Sequence, residues 1–300
     1  MSTLSFNISA VERDTGLSKD VLRMWERRYG FPVPERDANG ERLYPAAQVE
    51  RLRLIKRLMD QGHRPGKLIA APEEELAALA PRRPRETAPH LPQAAGDSLD
   101  ELIEHIRHHD GPGFQQAMQQ RLVRQGLQAF VQDTVAPLTR RVGEAWEEGN
   151  IEVFEEHLFT ELTKRLLRQT IATLPAGRRP RVLLTSVPEE QHVLGLLMVE
   201  ALLALEGAEC IPLGTQMPLL DIGRAAEAHA ADIVALSFSV AFPQRQIGGL
   251  VQHLRQILPP TVALWVGGGG IRRLAAQPGV DLLPQLPDAI TALQAWRSAH

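Results

Sequence analysis

Residues 181 to 214, RVLLTSVPEEQHVLGLLMVEALLALEGAECIPLG, decide how the carboxyl-terminal half of the chain is built. An apolar run of strand length leads through a short loop into a helix-period run that begins near Gly195. A second apolar run then closes at Leu213-Gly214, which reads as β-α-β, the unit of a parallel sheet. Ligands of such sheets bind beyond the carboxyl ends of the strands, where this loop places Glu190 and His192. A histidine there can offer one ring nitrogen to a metal while a carboxylate, from Glu190 or a neighbouring loop, accepts the other N–H and fixes the tautomer. Gly195 has no side chain, so a planar group can approach the start of the helix. The plainer reading is a solvent-exposed loop whose Glu and His are polar turn residues.

Two downstream features weigh against the plainer reading. Ser237 and Ser239 stand at the end of the apolar strand 232–237, and Gly267-Gly268-Gly269-Gly270 follows the strand 262–266. Hydroxyls and bare backbone at one sheet edge describe a long groove, with the glycines expected to leave a gap for an extended tail. Further strands are expected at 181–186, 209–213 and 280–283, with helices at 191–206, 219–230, 243–258, 270–276 and 287–298. The whole is a five-stranded doubly wound sheet in order 2-1-3-4-5, with Gly214 to Pro218 on its crevice. A dinucleotide site would need Gly-x-Gly-x-x-Gly after the first strand. Val187, Pro188, Glu189 and Glu190 stand there instead, and the carboxylates would repel pyrophosphate.

Glu190-x-His192-x-x-Gly195, followed by the serines and the glycine run, resembles the cobalamin-binding Rossmann-like domain of methionine synthase and its relatives. That resemblance implies that His192 is the lower axial ligand of cobalt and Glu190 part of its hydrogen-bonding network. It also implies that Ser237, Ser239, Gly267 and Gly268 line the channel for the displaced nucleotide tail. Many members have Asp where this chain has Glu190.

Across the chain, no stretch approaches the eighteen apolar residues of a membrane helix, and the amino terminus lacks the basic-then-apolar layout of a signal peptide. The single cysteine, Cys210, rules out an internal disulfide framework, and a cytoplasmic, nucleoid-associated protein is expected. The formal net charge is -3, yet residues 1–70 hold three Lys and ten Arg against four Asp and five Glu, a surplus of +4 that leaves about -7 for the rest. A basic head on an acidic body suggests that the head binds a polyanion.

Within that head, ISAVERDT (8–15) and the segment capped by Ser18, with Val21, Leu22 and Trp25 on one face, make two helices joined by a Gly-containing turn. The second helix presents Lys19, Arg23 and Arg27 outward. The segment 31–44 reads as a hairpin turning at 37–40 with Arg36 and Arg42 on its flanks, followed by a helix over 46–60 and a shorter one over 65–79. Such a hairpin can hold phosphates while the helix enters the major groove of double-stranded DNA. From Ile8 to Gly62 the sequence is similar to the winged helix-turn-helix of MerR-type regulators, including Leu22-Arg23-x-Trp25-Glu26 and Gly40-x-Arg42-x-Tyr44. The resemblance implies that Arg23 and Tyr44 meet phosphates, supported by Lys19, Arg36 and Arg42.

Residues 80–96 hold four prolines and read as a semi-rigid linker, where many MerR relatives have a coiled coil. From Ser98 to Leu174, helical runs to His109, from after the Gly111-Pro112-Gly113 connection to Arg124, over 127–148 and over 152–174 form a four-helix bundle. The short 149–150 connection is expected to bring Trp146, Glu156 and His157 to one end; a core tryptophan beside two surface polar residues is the plainer alternative. Trp146, nine residues, then Glu156-His157 resembles the signature of the light-sensing CarH and LitR regulators. In those proteins this trio shapes the upper pocket around the adenosyl group of adenosylcobalamin. They carry His directly after the tryptophan, whereas this chain has Glu147, a harder and weaker partner for cobalt.

The expected molecule is a multidomain, non-enzymatic regulator. Residues 1–79 form the winged helix-turn-helix, 80–96 the linker, 97–176 the capping bundle and 177–300 the Rossmann-like cobalamin domain. It is expected to bind promoter DNA as a dimer or tetramer, to repress, to avoid membranes and to change assembly when light cleaves the cofactor. The alternatives are a corrinoid methyl-transfer subunit, which the basic head disfavours, and a MerR-type regulator whose sensory half has lost its cofactor or its photoresponse.

Overall fold

The computed structural model describes residues 5–37, 40–60, 63–79 and 99–300. The expected linker, the Ser98 cap and the hairpin's Ala38 and Asn39 lie outside those residues. The chain divides into two units, Met1–Ala95 with Gly143–Glu152, and Gly96–Val142 with Val153–His300.

In the first unit, α1 (Ile8–Thr15) and α2 (Lys19–Tyr29) form the helix-turn-helix. Asn7 and Ser18 cap them by accepting from the backbone N–H of Ala10 and Val21, which satisfies donors that a helix start leaves open. The wing is β2 (Glu35–Arg36) paired antiparallel with β3 (Arg42–Pro45), and β1 (Ser5–Asn7), absent from the sequence reading, adds a third strand on the other side of β3. α3 (Ala46–Asp60) falls where expected. The single helix expected over 65–79 is two, α4 (Pro65–Ala70) and α5 (Glu73–Leu79), because Pro72 disfavours the helical backbone at Ala71 and has no N–H to continue the ladder. Val11, Leu22, Trp25, Tyr44, Leu52 and Ile55 lie at the centre of this unit's core.

The second unit starts with α6 (Leu99–Arg107) and α7 (Gly111–Gln125). Asp110 caps α7 by accepting from Gly113 N, so Gly111 to Gly113, expected as a connection, form the helix's first turn. The next helix is built as α8 (Leu127–Ala129), a π-helical turn (Phe130–Val135) and α9 (Ala136–Glu147). Past its end, Gly149 adopts φ 75° and donates its N–H to Trp146 O. α10 (Val153–Ala172) then packs along α11 (Leu194–Leu205), seating the bundle on the sheet domain.

The sheet itself consists of β4 (Arg178–Thr185), β5 (Ala208–Gly214), β6 (Ile233–Ser237), β7 (Ala263–Gly267) and β8 (Val280–Leu283), all parallel, in the order β5-β4-β6-β7-β8. This is the expected 2-1-3-4-5 arrangement. Strands such as IVALS are near-continuously apolar because both faces are covered. α12 (Leu219–Ala228) and α13 (Gln244–Ile257) pack on one face, α11 and α14 (Leu286–Ala299) on the other. The helix expected over 270–276 is only a 3-10 turn, Gly269–Ile271. Glycine disfavours the helical backbone by about 1 kcal/mol relative to alanine, and this run is occupied with close packing described below.

Candidate cofactor site and nucleic-acid interface

The loop after β4 folds around one buried carboxylate. Glu190 is 1% exposed and both its oxygens are taken. Oε1 accepts from the His192 backbone N–H at 3.0 Å and faces His192 Nδ1 at 2.7 Å. Oε2 accepts from the Ser239 N–H at 2.7 Å and its hydroxyl at 2.9 Å. A carboxylate can only accept, so the shared hydrogen sits on Nδ1, and in the neutral ring the lone pair is left on Nε2. The His192 side chain is 62% exposed, projecting from a rigid base at the carboxyl edge of the sheet. Burial pushes the Glu190 carboxyl upward, but the bonds from His192 and Ser239 outweigh it and hold the group below the usual carboxylate range. The Glu190 bond raises the His192 imidazole above its ordinary value, against burial, and the charge of Glu156 on α10 adds to the pull.

On the side where a Cβ would stand, the glycine run lies close against the chain itself. A Cβ on Gly268, whose φ is +94°, would lie 2.3 Å from Phe238 O; one on Gly269 would lie 2.7 Å from a Val240 methyl, and one on Gly270 2.4 Å from Ser239 O. Gly268, Gly269 and Gly270 therefore let the loop after β6 lie directly on the loop after β7, whereas a Cβ on Gly267 would meet Leu283 O of β8 at 3.0 Å. Gly195 plays the same part toward Ser237, whose Oγ would stand 2.6 Å from an added Cβ. Spacing along a sequence shows where side chains are missing, not which neighbour lies beside them.

The imidazole arrangement suits a metal held from one side. Glu190 orients the ring and raises its basicity, Nε2 is the donor, and the exposed side chains of Val240 and Leu220 supply apolar surface at the same sheet edge. Glu156, with its Oε1 accepting from the Thr160 hydroxyl at 2.7 Å, and the exposed His157 begin the helix that faces α11. Trp146 is half-buried and belongs to the first unit. Two further groups escaped the sequence reading. Glu155, beside the expected pair, is fully buried and faces His109 Nε2 at 3.2 Å. Ser186 is equally buried, and its only sequence signal is a hydroxyl at the carboxyl end of an apolar strand.

On the head, Arg23, Arg27 and Arg36 are exposed, while Lys19 is partly so and paired with Glu12 at 3.5 Å. Arg23 reaches Asp20 at 3.3 Å on the surface, a pairing of little energetic weight that leaves the guanidinium available to phosphate. Arg42 donates from Nε to Glu26 at 3.0 Å. Tyr44 corrects the sequence reading: it is 0% exposed, its hydroxyl donates to Glu26 at 2.5 Å, and burial followed by that bond raises its phenol well above the ordinary value. In this position it supports the wing and offers phosphate no accessible atom, because its ring completes the core under β3.

Fold and site together define a winged helix-turn-helix regulator joined to a helical bundle and a Rossmann-like domain. Residues 6–69 match the MerR HTH family regulatory protein, and residues 98–170 and 180–291 each match a B12 binding domain. The chain is 31% identical over 91% of its length to the HTH-type transcriptional repressor CarH of Myxococcus xanthus, 91% of which is covered. It is 29% identical over 90% of its length to CarA of the same organism, covering 88% of that protein. Among solved structures, the monomethylamine corrinoid protein of Methanosarcina barkeri aligns with 65% of this chain and 96% of its own, at 16% identity and a TM-score of 0.49. The chain thus belongs to the CarH-type family of MerR regulators that carry tandem B12-binding domains. No helix among the described residues is long and apolar enough to cross a membrane.

Proposed function

We propose that this regulator is a light-responsive repressor of the cytoplasm that binds promoter DNA as an oligomer and takes adenosylcobalamin as its cofactor. The observation that carries the reading is the buried Glu190 carboxylate holding His192 with Nε2 directed outward, on the same chain as a basic winged head. His192 would hold the cobalt from below, Glu190 and Ser239 would keep the ring from turning, and Trp146, Glu156 and His157 would enclose the upper face. Bound adenosylcobalamin would supply a cobalt–carbon bond that light can break. Ser237, Gly267 and Gly268 would border the nucleotide tail. Glu147 stands where the resembling sensors have histidine, so the illuminated state of this protein would differ from theirs.

Regulation follows from linkage. A ligand that favours one arrangement of the bundle favours the assembly built from it, and several linked heads hold DNA more tightly than one. Lys19, Arg23, Arg27, Arg36 and Arg42 would carry the phosphate contacts.

The test is purification with adenosylcobalamin in the dark, followed by size and operator binding before and after illumination. A tightly bound corrinoid spectrum, and a light-dependent change in both size and DNA affinity, are expected. No corrinoid uptake sinks the cofactor reading; uptake without a light-dependent change sinks the photoreceptor reading alone.

A further inference from the structure

Ser186 follows directly on β4 and is 0% exposed. Its hydroxyl donates to Glu190 O at 2.7 Å and accepts from the Gln216 N–H at 3.0 Å. Its own backbone N–H donates to Gly214 O at 3.3 Å and its carbonyl accepts from Met217 N at 2.9 Å. One residue therefore ties the loop carrying Glu190 and His192 to the loop 214–218 after β5. Each of those loops contains a non-glycine residue in the left-handed region, Glu189 at φ 72° and Gln216 at φ 62°. L side chains rarely adopt that conformation, and it persists only where surrounding bonds over-determine it. The Ser186 hydroxyl supplies one such bond to Gln216 itself and one to the residue after Glu189.

We propose that Ser186 is a positioning residue: its hydroxyl locks the two loops together and so fixes Glu190, and through Glu190 the orientation of the His192 ring. The carboxylate of Glu190 can hold the imidazole in one tautomer only while the Glu190 backbone stays in place, and the Ser186–Glu190 bond holds that backbone. The loop 214–218 thereby becomes part of the histidine's support. Neither the family match nor the serine–glycine pattern of the sequence assigns this residue a part.

The test compares Ser186→Thr with Ser186→Val in the full-length protein without added cofactor. The two side chains have nearly the same shape, so a packing penalty is shared and their difference reports the hydroxyl. Ring nitrogen chemical shifts should show a single His192 tautomer, protonated on Nδ1, in the wild type and in Ser186→Thr, and a mixture in Ser186→Val. Exchange of the Gln216 amide should be at least about tenfold faster in Ser186→Val, because its acceptor is gone. Ser186→Ala, which adds no bulk, should behave like Ser186→Val and decides the matter if the larger residues do not fold. Hydroxocobalamin titration of the same variants, an arm that rests on the cofactor reading, should show about tenfold weaker uptake for Ser186→Val than for Ser186→Thr. Indistinguishable tautomers and exchange between the hydroxyl-bearing and hydroxyl-free proteins overturn the proposal, as does weakened uptake with tautomer and exchange unaltered. If the wild type takes up no corrinoid, the cofactor reading fails while the tautomer comparison still decides Ser186.

Discussion

Two carboxylates, Glu26 in the head and Glu190 in the sheet domain, each gather partners from distant parts of the sequence, and they do so to different ends. Glu26 has a side chain 14% exposed and accepts from Arg42 Nε at 3.0 Å and the Tyr44 hydroxyl at 2.5 Å, bracing the wing against α2. Its main partner is a permanent cation, whose charge does not depend on conditions. Glu190 is more deeply buried and meets an imidazole, whose charge depends on conditions, together with two donors from Ser239. The first arrangement makes a strut. The second fixes which nitrogen of a ring remains open to a ligand, and a strut would serve there only if the ring had no further task.

That contrast can be broken by substitution. Glu190→Ala should have the largest effect, about 2–4 kcal/mol of stability, because the Ser239 and His192 backbone donors lose their acceptor in a buried setting. Denaturant titration without cofactor measures it, and a loss under about 1 kcal/mol would mean that water replaces the carboxylate readily. Glu26→Ala should cost less, about 1–2 kcal/mol in the same titration, since Arg42 is partly exposed and can be solvated.

Tyr44→Phe sharpens the head's side of the comparison. It keeps the buried ring and removes one hydrogen bond, so about 1 kcal/mol of stability should go while operator affinity holds. Arg23→Ala should do the reverse, sparing stability while weakening operator binding and lowering the salt slope by about one. A fall in operator affinity for Tyr44→Phe equal to that for Arg23→Ala, measured by salt-dependent titration, would restore Tyr44 as a phosphate contact.

The smallest effect belongs to Glu200 on α11, a carboxylate that lacks the partners of the other two. Burial pushes it above the ordinary value of 4.5, with Arg168 pulling only partly the other way. The folded chain therefore holds this proton more tightly than the unfolded chain, and its contribution falls as pH rises past the unfolded value, levelling off above the raised folded one. Glu200→Gln should raise the melting temperature at neutral pH, with the gain shrinking to nothing below about pH 4. A gain that does not vary with pH would show that proton linkage is not its cause.

Much of the architecture was legible because it depends on periodicity. The strand and helix order of residues 181–300, the sheet order and the two capped helices of the head follow from apolar spacing and turn residues, which act locally. The Glu190–His192 pair was legible for the same reason, being two residues apart. Less legible was anything set by the far side of a contact. Ser239 appeared as a channel residue, yet it bonds Glu190 across 49 positions. Tyr44 appeared as a surface contact and lies in the core.

The sequence by itself determined the division of labour in this protein: a basic winged head, helices, and a doubly wound domain with a histidine at its ligand edge. Those features are written in charge balance and in repeats of two and 3.6 residues, which need no knowledge of neighbours. Only the tertiary structure decided that the glycine run lies close against Phe238 to Val240, that Ser186 joins two loops, and that one oxygen of Glu190 serves the ring while the other serves Ser239. Hydrogen bonding and close packing depend on distances of about 3 Å between atoms, and residues far apart in sequence reach such distances only once the chain has folded.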